Sequence, residues 1–140
     1  MAQLKDIFIL IGAYSSTLNC LPAVENYNLN EINNILIQAN DNDNEAVDVI
    51  FSDVEVETQF SQLIPMTLIF KGEVVGDELR FETVDAHRAY VQGFRMRLNG
   101  TLKRDDQGTL EGRITMSNFD EITRMEVIRS FTCNYVFTKK

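Results

Sequence analysis

Histidine is all but missing from this chain of 140 residues, His87 being the only one. That rules out a multi-histidine metal centre and leaves any general base to His87 itself or to a carboxylate. Asp85 lies two residues away, but Asp85-Ala86-His87-Arg88 reads as a connection between strands, and no catalytic role is assigned to it. Cysteine is scarce too, with only Cys20 and Cys133. Neither has a histidine on its own strand, so a Cys/His nucleophile has no support. Basic residues are in deficit: Lys and Arg number 13 against 21 Asp and Glu, a formal charge of −8. Nucleic-acid partners are excluded on that balance, because phosphate backbones call for a basic footprint. An anionic membrane surface is disfavoured for the same reason. Long apolar runs are missing as well. The longest, Ile7 to Ala13, is far below the ~20 residues of a transmembrane helix. Internal repeats, linkers and low-complexity segments are absent apart from one Asn/Asp cluster.

What is there reads as a single globular domain over residues 1–140. Hydrophobic residues at 44% and charged residues at 24% fit neither disorder nor a membrane protein. A chain of this size buries roughly 70% of its unfolded surface around one core. The clearest pattern runs from Tyr90 to Ser117. Tyr90, Phe94, Met96, Leu98 and Leu102 alternate with Val91, Arg95, Arg97, Asn99, Thr101 and Lys103, the period of two of a strand with one dry face. After Asp105-Asp106-Gln107-Gly108 the alternation resumes, with Leu110, Ile114 and Met116 against Thr109, Glu111, Arg113 and Thr115. The stretch is a long β-hairpin. With Gly108 in the left-handed position of a three-residue loop, Asp105 closes on Thr109, Lys103 faces Glu111 and Leu98 faces Met116.

Taken in order, Ile7 to Asn19 reads as a first strand, apolar on both sides at its start, and Pro22 ends it. A signal peptide over Met1 to Cys20 is disfavoured, because Asp6 intrudes and the apolar part is only about seven residues. Residues 23–29 are irregular. Asn30 to Asn40 carries both patterns: Ile32, Ile35, Leu36 and Ala39 have helical spacing, yet the run is short, rich in Ile and Asn, and followed by the turn cluster Asn40 to Asn44. A strand from Asn34 to Ala39 is the favoured reading. Glu45 to Gln59 is a strand with Val47, Val49 and Phe51 on one face, shifting parity to Val54 and Val56, as a bulge near Ser52 and Asp53 would cause. Leu63 to Val74 alternates Met66, Leu68, Phe70 and Gly72 against Thr67, Lys71 and Glu73. A turn at Val75-Gly76-Asp77 leads to Leu79 to Val84. The last strand, Arg124 to Lys139, sets Met125, Val127, Phe131, Cys133, Tyr135 and Phe137 inward, with Arg129 as the exception. Eight strands in meander order and no clear helix predict an all-β fold: an eight-stranded antiparallel up-and-down β-barrel, or else a flattened β-sandwich. Closure removes exposed edges, and inward glycines at Gly12, Gly72, Gly100 and Gly112 suit its bends. The cysteines then fall on adjacent first and last strands. Antiparallel pairing is expected to leave Cys133 nearer Gly12 than Cys20, so two free, partly buried thiols are expected rather than a disulfide.

Two short segments carry a family likeness. Gly12-Ala13-Tyr14-Ser15-Ser16-Thr17-Leu18 resembles the opening Gly-x-Tyr-x-x-Thr-Leu strand of calycin-like barrels, in particular the small exported domains of Bacteroidetes. Leu98-Asn99-Gly100-Thr101-Leu102 is similar to their later Gly-Thr strand. The resemblance implies a lipocalin-like barrel in an extracytoplasmic location, periplasmic or cell-surface, and it carries over no catalytic motif. The chain departs from that pattern in having no recognisable lipoprotein signal.

Three local features bear on chemistry. Asp41, Asp43 and Glu45 alternate like calcium ligands, but Ala46 and Ser52 stand where an EF-hand needs Gly and Glu, so a solvated turn is the better reading. No metal or cofactor is expected. Arg129 falls on the inward parity with Val127 and Phe131. Either a bulge near Ile128 turns it outward, or it holds the carboxylate of an amphipathic ligand, or Glu55 or Glu57 pairs with it. Inward Tyr14, Phe94, Met96, Leu98, Met116, Phe131 and Tyr135, with Arg129, are the candidate ligand-binding residues, although a filled core is the default for such side chains. Arg95, Arg97, Arg113 and Lys103 form an outward basic stripe. The expected function is non-enzymatic binding of a small apolar or amphipathic ligand. A protein–protein interaction or inhibitor module with an acidic surface is the alternative, and a barrel-type cyclase or isomerase is a third.

Overall fold

The computed structural model describes residues 4–21, 31–57, 63–85, 94–120 and 126–140, with side chains described for 7–20, 34–52, 67–81, 98–115 and 132–140. It is an antiparallel barrel of eight strands in sequence order, closed by pairing of the first strand with the last. The strands are β1 (Gly12–Leu21), β2 (Glu31–Ala39), β3 (Ala46–Glu57), β4 (Leu63–Val75), β5 (Glu78–Asp85), β6 (Phe94–Arg104), β7 (Leu110–Asp120) and β8 (Glu126–Lys139). The barrel is the outcome expected from the alternation, and the flattened sandwich is not formed.

The alternation works as the period of two requires. Val47, Val49 and Phe51 on β3, Leu68 and Phe70 on β4, and Leu110 and Ile114 on β7 are all buried. Their neighbours Thr67, Glu73, Glu111 and Arg113 are exposed. The β6–β7 hairpin has the expected register, with Lys103 opposite Glu111 and Leu98 opposite Met116. Its loop closes through Asp105 N donating to Thr109 O at 2.9 Å, while Asp105 Oδ1 accepts from the amides of Gln107 and Thr109. Gly108 has φ +82, a left-handed value that side chains other than glycine take up at a cost. Further along, Gly100 and Gly112 let β6 and β7 cross tightly: a Cβ on Gly112 would strike the Thr101 carbonyl oxygen, and one on Gly100 would strike that of Arg113. The bulge expected near Ser52 and Asp53 is present, as a slip in the β3–β4 register between Phe51 and Val54. Within the ambiguous run, Glu31–Ala39 is strand, as β2, so the strand reading of Asn34 to Ala39 holds.

The first strand departs from expectation. Residues Leu4–Leu10 form a short helix, α1, and β1 starts only at Gly12. Ile7 and Leu10, three apart and so on one helical face, are each 4% exposed, whereas Phe8 between them is 76% exposed. The apolar run is thus divided, its first half stoppering the barrel and its second half opening the sheet. Two side chains make this stable by satisfying last-turn carbonyls that a helix leaves open. Tyr14 Oη donates to Leu10 O at 2.7 Å, and Lys139 Nζ donates to Ile9 O at 3.0 Å. The lysine also places its charge at the negative end of the helix.

That displacement overturns the second expectation, of free thiols. With β1 beginning at Gly12, Tyr14 pairs with Lys139 and Cys20 comes directly opposite Cys133. The α-carbons are 3.9 Å apart and the sulfurs form a disulfide across the seam.

Candidate functional site

The two ends of the barrel differ. At one end lie α1, the turns 40–45, 76–77 and 105–109, and the end of β8. At the other, strand ends lead to residues 22–30, 58–62, 86–93 and 121–125, which lie outside the described residues, His87 among them. Inside, next to α1, the space is filled by aromatic rings. Phe51 packs edge-on against Phe70 at 5.8 Å and Phe137 at 6.1 Å between centroids, and Phe137 meets Tyr14 at 6.3 Å and Tyr135 at 6.2 Å.

Along the inward face of β1 the seal loosens. Tyr14 and Ser16 are 1% and 2% exposed, but Leu18 and Cys20, on the same face and further from α1, are only half-buried against the core. Directly across the seam from Leu18 stands Tyr135 on β8, with Gly112 on its other side.

The interior holds three described hydroxyls. That of Tyr14 is spent on the Leu10 carbonyl, and that of Ser16 donates to Thr17 O at 3.0 Å. The Tyr135 side chain is 3% exposed, and among the described residues nothing pairs with its hydroxyl. Burial pushes the Tyr135 phenol well above its ordinary pKa, so it stays a protonated donor. The Tyr14 phenol is also pushed up by burial, with the Arg104 charge acting the other way.

Of the candidate ligand-binding residues, Tyr14, Leu98 and Tyr135 are buried inside the barrel. Tyr14 belongs to the stoppered end, apart from the rest. Backbone pairing sets Leu98 opposite Met116 and Met116 opposite Phe131, one row across β6, β7 and β8. Phe94 and Met96 continue β6 beyond that row. The side chains of Phe94, Met96, Met116, Arg129 and Phe131 lie outside the described residues, as do those of Asp85, Glu55, Glu57, Arg95 and Arg97. Around Arg129 the β7–β8 register slips between the pairs Met116/Phe131 and Asn118/Ile128, where a bulge near Ile128 was expected. Arg113 and Lys103 of the basic stripe are exposed, with Lys103 3.8 Å from Asp77.

The 40–45 turn is held by its own side chains. Asp43 Oδ1 accepts from Glu45 N at 2.9 Å, and Oδ2 meets Lys71 Nζ at 3.0 Å. The Glu45 amide and Lys71 hold the Asp43 carboxyl below its usual pKa. Among the described residues no three His, Cys, Asp or Glu gather as a metal site, and no helix is long and apolar enough to cross a membrane.

Sequence reasoning missed α1, the disulfide and Leu18. The signal for α1 was there in Ile7 and Leu10 at helical spacing ahead of Gly12. Compared with known proteins, the chain matches no family model, no curated protein and no solved structure.

Proposed function

We propose that this protein binds a small apolar or amphipathic ligand inside its β-barrel and does so without catalysis. The observation that carries the reading is the loosening along β1: an interior sealed by α1 and aromatic rings at one end gives way to half-buried inward side chains at Leu18 and Cys20. A small barrel either fills its interior or keeps room for one small molecule, and such sites are apolar with a few placed polar groups. The Cys20–Cys133 bridge supports an oxidising, extracytoplasmic compartment, where disulfides persist. That agrees with the location implied by the calycin-like resemblance.

Native mass spectrometry of protein purified gently from its own host tests the reading. A small-molecule adduct retained on the folded protein is the expected result. A bare mass, together with no enhancement of anilinonaphthalene sulfonate fluorescence by the folded protein, would remove it.

A second reading has its own observation. Outward-facing Ala13, Leu36, Ile50 and Ile69 lie in one register row across β1 to β4, and Phe8 and Ile9 on α1 are exposed as well. On a protein of charge −8, this apolar row suits a protein partner with an apolar centre and a basic rim. Loss of a co-purifying protein on Phe8→Asp, with melting temperature unchanged, would favour it over ligand binding.

A further inference from the structure

Resting on the ligand-binding reading above, we infer that the Tyr135 hydroxyl is the polar anchor of the site and that the ligand presents it with a neutral acceptor oxygen: a ketone, ester or ether. Two observations lead there. The hydroxyl is buried within the barrel, yet among the described residues it has no partner, in contrast to those of Tyr14 and Ser16. A buried donor without a partner is costly, so it is rare in native folds unless something absent from the bare chain completes it. Its immediate neighbour across the seam is Leu18, the residue where the inward face of β1 begins to open.

The chemistry of the acceptor follows from the surroundings. A phenol held protonated by burial donates one hydrogen bond. The described side chains inside the barrel around it are apolar or hydroxyl-bearing, with no cation among them. A carboxylate brought to this level would lose its hydration and meet a single neutral donor, which does not offset that loss. A carbonyl or ether oxygen has far less hydration to lose and is satisfied by one donor. The rest of the ligand would lie against Leu18 and the Cys20–Cys133 bridge.

Acetophenone and ethylbenzene test this, since they share a skeleton and differ by one acceptor oxygen. Binding to the intact, oxidised protein is read by calorimetric titration, alongside benzoate as the charged analogue. The expected result is that wild type binds acetophenone about 5- to 10-fold more tightly than ethylbenzene, the worth of one hydrogen bond, and binds benzoate more weakly than either. Tyr135→Phe should weaken acetophenone by the same factor, leave ethylbenzene unchanged, and melt at or above the wild-type temperature. Unchanged acetophenone affinity in Tyr135→Phe, or preferred binding of benzoate, would overturn the anchor while leaving ligand binding in place. A variant that melts several degrees lower would overturn it too, by revealing a structural partner for the hydroxyl. Binding of none of the three to wild type would count against the ligand-binding reading itself, and the anchor would fall with it.

Discussion

Two tyrosines inside one barrel do opposite things with the same atom. Tyr14 donates its hydroxyl hydrogen to the end of α1, and Tyr135 has no described acceptor. Tyr14→Phe should therefore destabilise the protein by about 1 kcal/mol, seen as a lower urea midpoint, because it strips the Leu10 carbonyl of its donor. The pair also sets the alkaline behaviour. Unfolded, the Tyr135 phenol ionises near pH ~10, whereas in the folded barrel burial holds its pKa higher. A raised folded pKa means that its contribution is complete below pH ~10 and declines as pH rises past it, because only the unfolded chain gives up the proton. Urea midpoints measured from neutral to strongly alkaline pH should fall more steeply for wild type than for Tyr135→Phe.

At the scale of elements, what could be read from the chain depended on whether local signals sufficed. The β6–β7 hairpin carried its own instructions: Asp105 and Gly108 define the loop, and the alternation of Leu98, Leu102, Leu110 and Ile114 fixes the register. The parity change after Phe51 likewise revealed a bulge. Isoleucine and phenylalanine favour strands, and across Ile7 to Ile11 that propensity outweighed the helical spacing of Ile7 and Leu10. The segment is helical because Tyr14, at the start of β1, and Lys139, 130 residues away in sequence, occupy its terminal carbonyls. The error then propagated. A first strand with Ile7 opposite Lys139 puts Cys133 opposite Ala13, whereas the observed pairing of Tyr14 with Lys139 puts it opposite Cys20. The candidate site was legible only as a parity, which gave Leu98 and Tyr135 their inward places but not the state of the Tyr135 hydroxyl. The stopper itself is testable. Leu10→Ala should cost about 2–4 kcal/mol by emptying its buried position, while Phe8→Ser should stay within ~0.5 kcal/mol because Phe8 is 76% exposed. Chemical denaturation of both variants checks the contrast.

For the whole molecule, closure is both hydrogen-bonded and covalent. β1 and β8 pair over eight consecutive positions, and the bridge within that ladder joins residues 113 apart in sequence. In the chain-entropy picture a loop of that length is stabilised by about 4–5 kcal/mol. Treatment with a thiol reductant should lower the melting temperature by about 10–20 °C, and Cys20→Ser with Cys133→Ser should reproduce the shift without reductant. No shift on complete reduction, verified by thiol counting, would mean that the ladder alone holds the seam.

The bridge also sets what a protease can achieve. The turns 40–45, 76–77 and 105–109 all lie between Cys20 and Cys133, so a single backbone cut at any of them opens a ring without releasing a fragment. A nicked molecule would gain only the mass of one water and keep its partner strands, running as one band on a denaturing gel until a reductant separates it into two. Such tolerance to cleavage would serve a protein working where proteases are abundant and chaperones are not.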